Sequence, residues 1–189
     1  MWIRLPEVAA AHAAPVYSVT DLGTLGGSGS AGYGVNNNGQ VTGSSRIASG
    51  QGRGFLYDKT DGMIDIGALG GDFSTGRDIN NLGQVTGAVV NGDGEQHGFV
   101  FDEVNGMTTF DTLGLNYSEL TGAFSDGNSI NDNGLVAGIS TLNASNMQHA
   151  FLYDSLVGFT DLGVLARIIH GDAQVWMSRG SSAGLTGNF

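Results

Sequence analysis

The chain has 189 residues, of which 33 are glycine, two are proline and none is cysteine. Its 18 acidic and seven basic residues give a formal net charge of −11, which removes the electrostatic basis for binding nucleic acid or an anionic membrane surface. The absence of cysteine excludes disulfides and thiolate metal sites, and the apolar runs reach only strand length, too short to span a membrane.

The first 16 residues do not match the rest of the chain. Positions 11–13 read Ala-His-Ala, the small-any-small pattern of a signal cleavage site, but Arg4, Pro6 and Glu7 interrupt the apolar run that a signal peptide needs. We interpret residues 1–16 as a leader remnant or a disordered tail.

From Tyr17 onward the sequence repeats. Four pieces recur in a fixed order: Asp-Leu-Gly-x-Leu (Asp-Ile-Gly-x-Leu in the copy at Asp65), an aliphatic residue with Asn-x-x-Gly, an aliphatic strand ending in Gly, and an aromatic run ending in Asp. The first piece recurs from Asp21 to Asp65 and the second from Asn36 to Asn80, both after 44 residues (65 − 21 and 80 − 36). An insertion at 115–127 lengthens the next interval. We assign repeats at about 17–60, 61–104, 105–156 and 157–189.

Each full repeat predicts four short strands. In the second repeat they lie at 63–66, 77–80, 84–90 and 98–101, separated by glycine-containing loops. The Asn-x-x-Gly turn accepts positive φ, which predicts an antiparallel hairpin between the second and third of these strands. Four strands in about 44 residues are typical of a β-propeller blade. A β-trefoil has similar repeats but only three of them, and the fourth Asp-Leu-Gly at Asp161 favours the propeller.

We therefore predict an all-β fold, a small β-propeller of about four four-stranded blades in a single domain over 17–189. The last blade is incomplete, because the later pieces of the repeat do not follow Leu165. Either the C-terminal tail at 167–189 completes this blade or a second chain does, which would make a homodimer.

The repeat pieces also carry a resemblance. Asp-Leu-Gly-Thr-Leu-Gly-Gly, Ile-Asn-x-x-Gly-Gln-Val-x-Gly and His-Ala-Phe-Leu-Tyr together resemble the HAF-repeat family of extracellular bacterial repeats, whose tripeptide stands here at 149–151. The other copies depart from it, with His97-Gly98 and Arg53-Gly54 before the phenylalanine. The resemblance covers 17–165 and implies a propeller-like fold and an extracellular or periplasmic location. It brings no catalytic residues.

Two groups of oxygen-bearing side chains predict calcium sites. Asn36, Asn80 and Asn131 occupy equivalent positions and would form an axial ring if their strand lines the centre of the propeller. Amide, carboxylate and carbonyl oxygens are the ligands that calcium prefers. The second candidate is the loop with Asn91, Asp93 and Glu95, which alternate as in a calcium loop. The alternatives are a hydrogen-bonded asparagine ladder and a solvated turn.

Other chemistry-bearing residues are explained by strand and turn geometry. His97 and His149 share one position with Arg53, so a histidine metal cluster is not supported. Aspartates end the aromatic strands, where they favour turns. Residues 180–184 match Gly-x-Ser-x-Gly, but they lack the strand-to-helix context of a nucleophile elbow, and we interpret the match as chance. No catalytic residue and no binding site for an organic cofactor is assigned.

Two functions remain open at this point. The first is a secreted binding module for a small molecule or an extracellular polymer, because rigid repeat scaffolds display variable loops. The alternative is a calcium-dependent hydrolase of a small ester or lactone, in which an axial metal ion activates water.

Overall fold

The structure, a computed structural model, describes residues 17–113, 122–142 and 147–163. The leader segment 1–16, the tail 167–189 with its Gly-x-Ser-x-Gly match, and part of the 115–127 insertion lie outside these residues. The described part of the chain contains twelve strands and no helix, which confirms the all-β prediction. In this part, accordingly, no helix is long and apolar enough to cross a membrane.

The strands fall into three groups of four, which we call units 1, 2 and 3. Unit 1 contains β1 (Gly26–Val35), β2 (Val41–Ile47), β3 (Gly52–Asp58) and β4 (Gly62–Asp65). Unit 2 contains β5 (Phe73–Ile79), β6 (Val85–Val90), β7 (Gln96–Asp102) and β8 (Gly106–Phe110). Unit 3 contains β9 (Ser125–Ile130), β10 (Val136–Thr141), β11 (Gln148–Asp154) and β12 (Gly158–Gly163).

Each unit is an antiparallel meander in which every strand pairs with its neighbours in sequence. The predicted hairpin of the second repeat is present, since β5 and β6 pair antiparallel from Phe73 with Val90 to Ile79 with Val85. The boundaries of these three units are shifted along the chain relative to the repeats assigned from the sequence. The Asp-Leu-Gly piece ends the fourth strand of one unit rather than opening the next, because a tight turn after Asp58 returns β4 onto β3.

Successive units are placed side by side. The first strand of units 2 and 3 packs against the second and third strands of the preceding unit. A parallel contact between Gly52 and Phe73 joins units 1 and 2 into one eight-stranded sheet, whereas unit 3 forms a separate four-stranded sheet. Within the described residues the units form an open series and do not close into a ring.

The close approach of neighbouring units depends on one glycine in each first strand. A Cβ atom built on Gly76 would overlap the Oγ1 atom of Thr42, and one on Gly127 would overlap that of Thr86. Both threonines are fully buried, and their hydroxyls donate to the carbonyls of Phe55 and Phe99 in the third strand, at 2.7 and 2.8 Å. The missing side chain therefore makes room for a threonine that the previous unit needs for its own sheet.

The hydrophobic core lies between units rather than inside them. One cluster combines Leu56 and Ile66 of unit 1 with Ile79, Val85 and Phe99 of unit 2. A second cluster combines Phe110 of unit 2 with the unit 3 side chains of Ile130, Val136 and Phe151. Because the apolar side chains of each unit are buried by the next unit, a single unit could not bury a core alone, as is typical of repeat proteins.

We predict that Gly76→Ala destabilises the protein by about 1–3 kcal/mol, because the added methyl group overpacks the junction against Thr42. Chemical denaturation measures the change in the free energy of unfolding. The matched control is Gly32→Ala at the equivalent position of unit 1, where the added Cβ meets only the Cγ1 atom of Val41, at 3.2 Å. Equal losses in the two variants would contradict this account of the junction.

Candidate binding site between units 2 and 3

The Asn-x-x-Gly segments all form the same five-residue turn. In the first of them, the Asn36 side-chain oxygen accepts hydrogen bonds from the backbone N–H groups of Asn38 and Gln40, each at 3.0 Å. The backbone N–H of Gly39 donates to the Asn36 carbonyl, and Gly39 has a φ of 78°, in the left-handed region that glycine adopts readily. The turns beginning at Asn80 and Asn131 repeat this pattern.

These turns are linked from one unit to the next. The side-chain amide of Asn36 donates to the Asn80 carbonyl, and that of Asn80 donates to the Asn131 carbonyl, both at 2.9 Å. A second row runs beside the first, in which Asn81 accepts from the Asn37 N–H and donates to Asp132. The predicted axial residues are therefore brought together as a hydrogen-bonded ladder.

The ladder determines what each asparagine atom contacts. The side-chain oxygen of each of the three residues accepts two backbone N–H groups of its own turn, while the Asn36 and Asn80 side-chain amides donate to the following unit. The described residues contain no cluster of three or more His, Cys, Asp or Glu side chains arranged for a metal. Calcium at the ladder stays a prediction.

The second predicted calcium loop adopts the same turn. The side-chain oxygen of Asn91 accepts from the N–H groups of Asp93 and Glu95 at 3.0 and 2.9 Å, and its amide donates to the Glu95 carboxylate at 3.0 Å. The sequence carried a signal for this turn that we did not use, because Asn91 and Gly94 have the spacing of Asn36 and Gly39. Asn91 and Glu95 are partly buried, while Asp93 is exposed. Calcium in this loop also stays a prediction.

The basic residue near the start of each third strand faces an aspartate of the fourth strand or of the residues just after it. His149 Nδ1 lies 2.8 Å from an Asp161 carboxylate oxygen, and Arg53 Nε lies 3.9 Å from Asp65. His97 contacts Glu95 at 3.5 Å and Asp111 at 3.9 Å. The two histidines lie in different units and each contacts carboxylates of its own unit, which agrees with their interpretation as structural residues.

The aspartates that end the aromatic strands cap the turns that follow, as predicted. Asp154 accepts from the N–H of Leu156 at 2.7 Å, and Asp58 accepts from that of Thr60 at 2.7 Å. The backbone N–H of Thr60 lowers the pKa of Asp58. Asp102 caps its turn in the same way, and the side-chain amide of Asn105 lowers the pKa of its carboxyl below the usual value.

A cleft of about 400 Å³ lies between units 2 and 3, at the end of the sheets where the asparagine turns are. It combines apolar side chains with amides and two carboxylates. Its eleven lining residues are Leu82, Gln84, Val100, Asp102, Asn105, Thr108, Asp132, Asn133, Gly134, Tyr153 and Ser155. Sequence analysis did not identify this site, because its residues come from turns and strands of two different units.

The cleft carries negative charge on fixed groups. Asn81, through its side-chain amide and its backbone N–H, holds the pKa of Asp132 below the usual value, and Asp102 is held by Asn105 as described above. Both carboxylates are therefore ionised at neutral pH. The Tyr153 ring is stacked on Phe110, with a centroid distance of 4.5 Å and an interplanar angle of 28°, which fixes the orientation of its apolar face.

Comparison with known proteins gives no identification. A scan against protein-family models, a search of curated proteins and a search of solved structures each found no match. The resemblance to HAF repeats therefore rests on the repeat pieces in the sequence alone.

We predict that Asn81→Ala raises the pKa of Asp132 toward the ordinary aspartate value of about 3.9, because the hydrogen bond from the side-chain amide is lost. A folded-state pKa below the unfolded value stabilises the protein above the unfolded pKa, and this stabilisation is lost as the pH falls through the folded value. Asn81→Ala should therefore reduce the acid sensitivity of unfolding. Carbon-13 NMR titration of the carboxyls measures the shift.

Asp102 is the internal control for this titration, since its capping partner Asn105 is unchanged in the variant. The explanation is wrong if Asp132 titrates identically with and without the Asn81 side chain, or if both aspartates shift together.

Proposed function

We propose that this chain is a secreted binding module, extracellular or periplasmic, whose ligand occupies the cleft between units 2 and 3. The observation that carries the proposal is the cleft itself, in which polar groups and an oriented aromatic ring converge. Ligand sites in proteins are commonly concave, largely preformed and lined by apolar surface with a few placed polar groups. Secretion is what the resemblance to extracellular repeats implies.

The chemistry of the lining favours a neutral or cationic ligand rich in hydroxyl or amino groups. Carboxylates accept hydrogen bonds from hydroxyl and ammonium groups, while the amides of Asn105 and Gln84 can both donate and accept. None of the eleven lining residues is basic, so an anionic ligand would meet two negative charges without compensation. A saccharide or amino sugar, free or within an extracellular polymer, has this chemistry.

The scaffold that we propose is a β-propeller in which each unit is one blade. Two observations support this arrangement. Each unit is a four-stranded antiparallel meander, and the first strand of a unit contacts the second and third strands of the previous unit. In such a ring the asparagine ladder would run from blade to blade at one end of the molecule.

We also propose that the protein binds calcium, as its acidic excess and the oxygen-bearing turns suggest. The calcium-dependent hydrolase of a small ester or lactone stays the alternative function and depends on the same ion. Calcium binding and ligand binding in the cleft are independent proposals, because the cleft requires no metal to bind a neutral ligand.

We predict that neutral saccharides or amino sugars bind to the cleft and that uronic acids of the same size do not. Calorimetric titration with the three classes measures this selectivity. Asp132→Asn should weaken binding about tenfold, because a charge-assisted hydrogen bond becomes a neutral one. The matched control is Asp61→Asn in the exposed β3–β4 turn of unit 1. Binding that is equally sensitive to both substitutions, or that favours uronic acids, would exclude this site.

We predict that calcium, but not magnesium, raises the melting temperature relative to chelator. A ligand that binds only the native state at one hundred times its dissociation constant stabilises it by about 2.7 kcal/mol, which corresponds to several degrees for a domain of this size. Loss of the shift in Asn80→Ala would locate the ion at the ladder, and loss in Asp93→Ala would locate it in the loop. Identical melting temperatures with calcium, magnesium and chelator would exclude both calcium binding and the calcium-dependent hydrolase.

A further inference from the structure

In units 2 and 3, two residues of the first strand and one directly after it form the junction with the preceding unit. The first is a serine that bridges two backbone groups of that unit. The Ser74 hydroxyl accepts from the Gly54 N–H at 2.9 Å and donates to the Gly67 carbonyl. In the same way, the Ser125 hydroxyl accepts from the Gly98 N–H at 2.8 Å and donates to the carbonyl of Phe110 at 3.0 Å.

The second residue is the glycine that lies over the buried threonine, two positions after the serine. The third is the asparagine of the ladder, whose carbonyl receives the amide of the preceding asparagine. These roles define a sequence signature, Ser-x-Gly-x-x-x-Asn, which stands at 74–80 and 125–131. It also stands at 30–36 in unit 1, where the Ser30 hydroxyl donates to the Gly23 carbonyl at 2.6 Å.

Unit 3 has a face that corresponds to the covered faces of units 1 and 2. In those units the receiving positions are Thr42 and Gly54, and Thr86 and Gly98, and all four are buried under the next first strand. The equivalent positions of unit 3 are Ala137 on β10 and Ala150 on β11, since they pair with Leu152 and Ile139 in the same registers. Both alanines are exposed within the described part of the chain.

The signature occurs a fourth time in the chain, at 182–188, with Ser182, Gly184 and Asn188 in the three defining places. This segment follows β12 and lies outside the described residues. The distance from the Asp-Leu-Gly glycine to the serine is seven residues before Ser30 and Ser74 (30 − 23 and 74 − 67), and it is 19 before Ser182 (182 − 163). Surface connections tolerate insertions of this kind, and the connection before Ser125 is also extended.

We propose that residues 182–188 are the first strand of a fourth unit and dock on the exposed face of unit 3. Gly184 lies over Ala137, the Ser182 hydroxyl bridges the Ala150 N–H and the Gly163 carbonyl, and the Asn188 carbonyl receives the side-chain amide of Asn131. The occupant of this face is therefore a segment of the same chain. The assignment uses the blade arrangement of the proposed function, but it does not involve the cleft or its ligand.

The natural absence of cysteine allows a direct test by disulfide cross-linking. The variant carries Ala137→Cys and Gly184→Cys and is oxidised with oxidised glutathione. Its positive control carries Thr86→Cys and Gly127→Cys, because a Cβ on Gly127 would lie 3.3 Å from the Thr86 Cβ, close to the 3.5–4.5 Å typical of disulfides. The negative control carries Ala137→Cys and Leu185→Cys, because Leu185 aligns with Arg77, whose side chain faces the following unit.

We expect an intrachain disulfide in the 137/184 variant, formed at a rate within about tenfold of the 86/127 control and absent from the 137/185 variant. Peptide mapping by mass spectrometry and non-reducing electrophoresis identify the product. Failure of the 137/184 pair while the 86/127 pair closes would overturn the proposal. A 137/184 cross-link found only between two chains would also overturn it, and would place the segment on a second copy.

A substitution without cysteines provides a second readout. Ser182→Ala should speed amide hydrogen exchange at Ala150, because the hydroxyl that accepts its N–H is removed, whereas the neighbouring Ser181→Ala should not. Unchanged exchange at Ala150 in both variants would contradict the docking. Neither experiment contains a saccharide, so failure of the cleft proposal and failure of the docking proposal are told apart.

Discussion

The contact between a glycine of one unit and a threonine of the previous unit is the constraint on which the rest of the structure depends. At Gly76 and Gly127 no side chain can be added without overlap, so the two backbones approach as closely as the buried threonines allow. This approach brings the serine hydroxyls within reach of N–H groups in the third strands, and it brings the asparagine turns of adjacent units together. Ladder, bridges and core are therefore parts of one junction.

The two junctions share this backbone plan but differ in their side chains. The junction of units 1 and 2 is mainly aliphatic, with Phe99 among its buried side chains. That of units 2 and 3 contains an aromatic group in which Phe110 contacts Phe151 at a centroid distance of 5.6 Å and Phe159 at 5.7 Å. The second junction also contains an ion pair, in which Arg77 makes two hydrogen bonds to the buried carboxylate of Asp126. Fixed geometry and paired hydrogen bonds make such an Arg–carboxylate contact more specific than an exposed ion pair. The candidate ligand cleft also lies at this second junction.

The sequence predicted the strands and turns well, because both depend on local spacing. The Asn-x-x-Gly turns form as predicted, and the four strands predicted for the second repeat overlap observed strands. The phase of the units was not predictable from the period alone. The period shows which residues are equivalent, but it does not show where one unit ends and the next begins. That boundary depends on the tight turn after Asp58, which pairs β4 with β3. The cleft and the Arg77 contact with Asp126 were missed for a related reason, since their residues are close only after neighbouring units have packed.

The recurring bulge in the first strands has a consequence for how such a chain can change its length. The pairing of β1 with β2, β5 with β6 and β9 with β10 shifts at the same place, around Tyr33, Arg77 and Asn128. The bulged residue differs among the three units, while the serine, glycine and asparagine around it recur and carry the contacts that join one unit to another. A gene duplication of one whole period, wherever its ends fall, would thus copy a complete set of joining contacts. Unequal recombination between repeats would therefore lengthen or shorten the array by whole units, each with its own joining contacts.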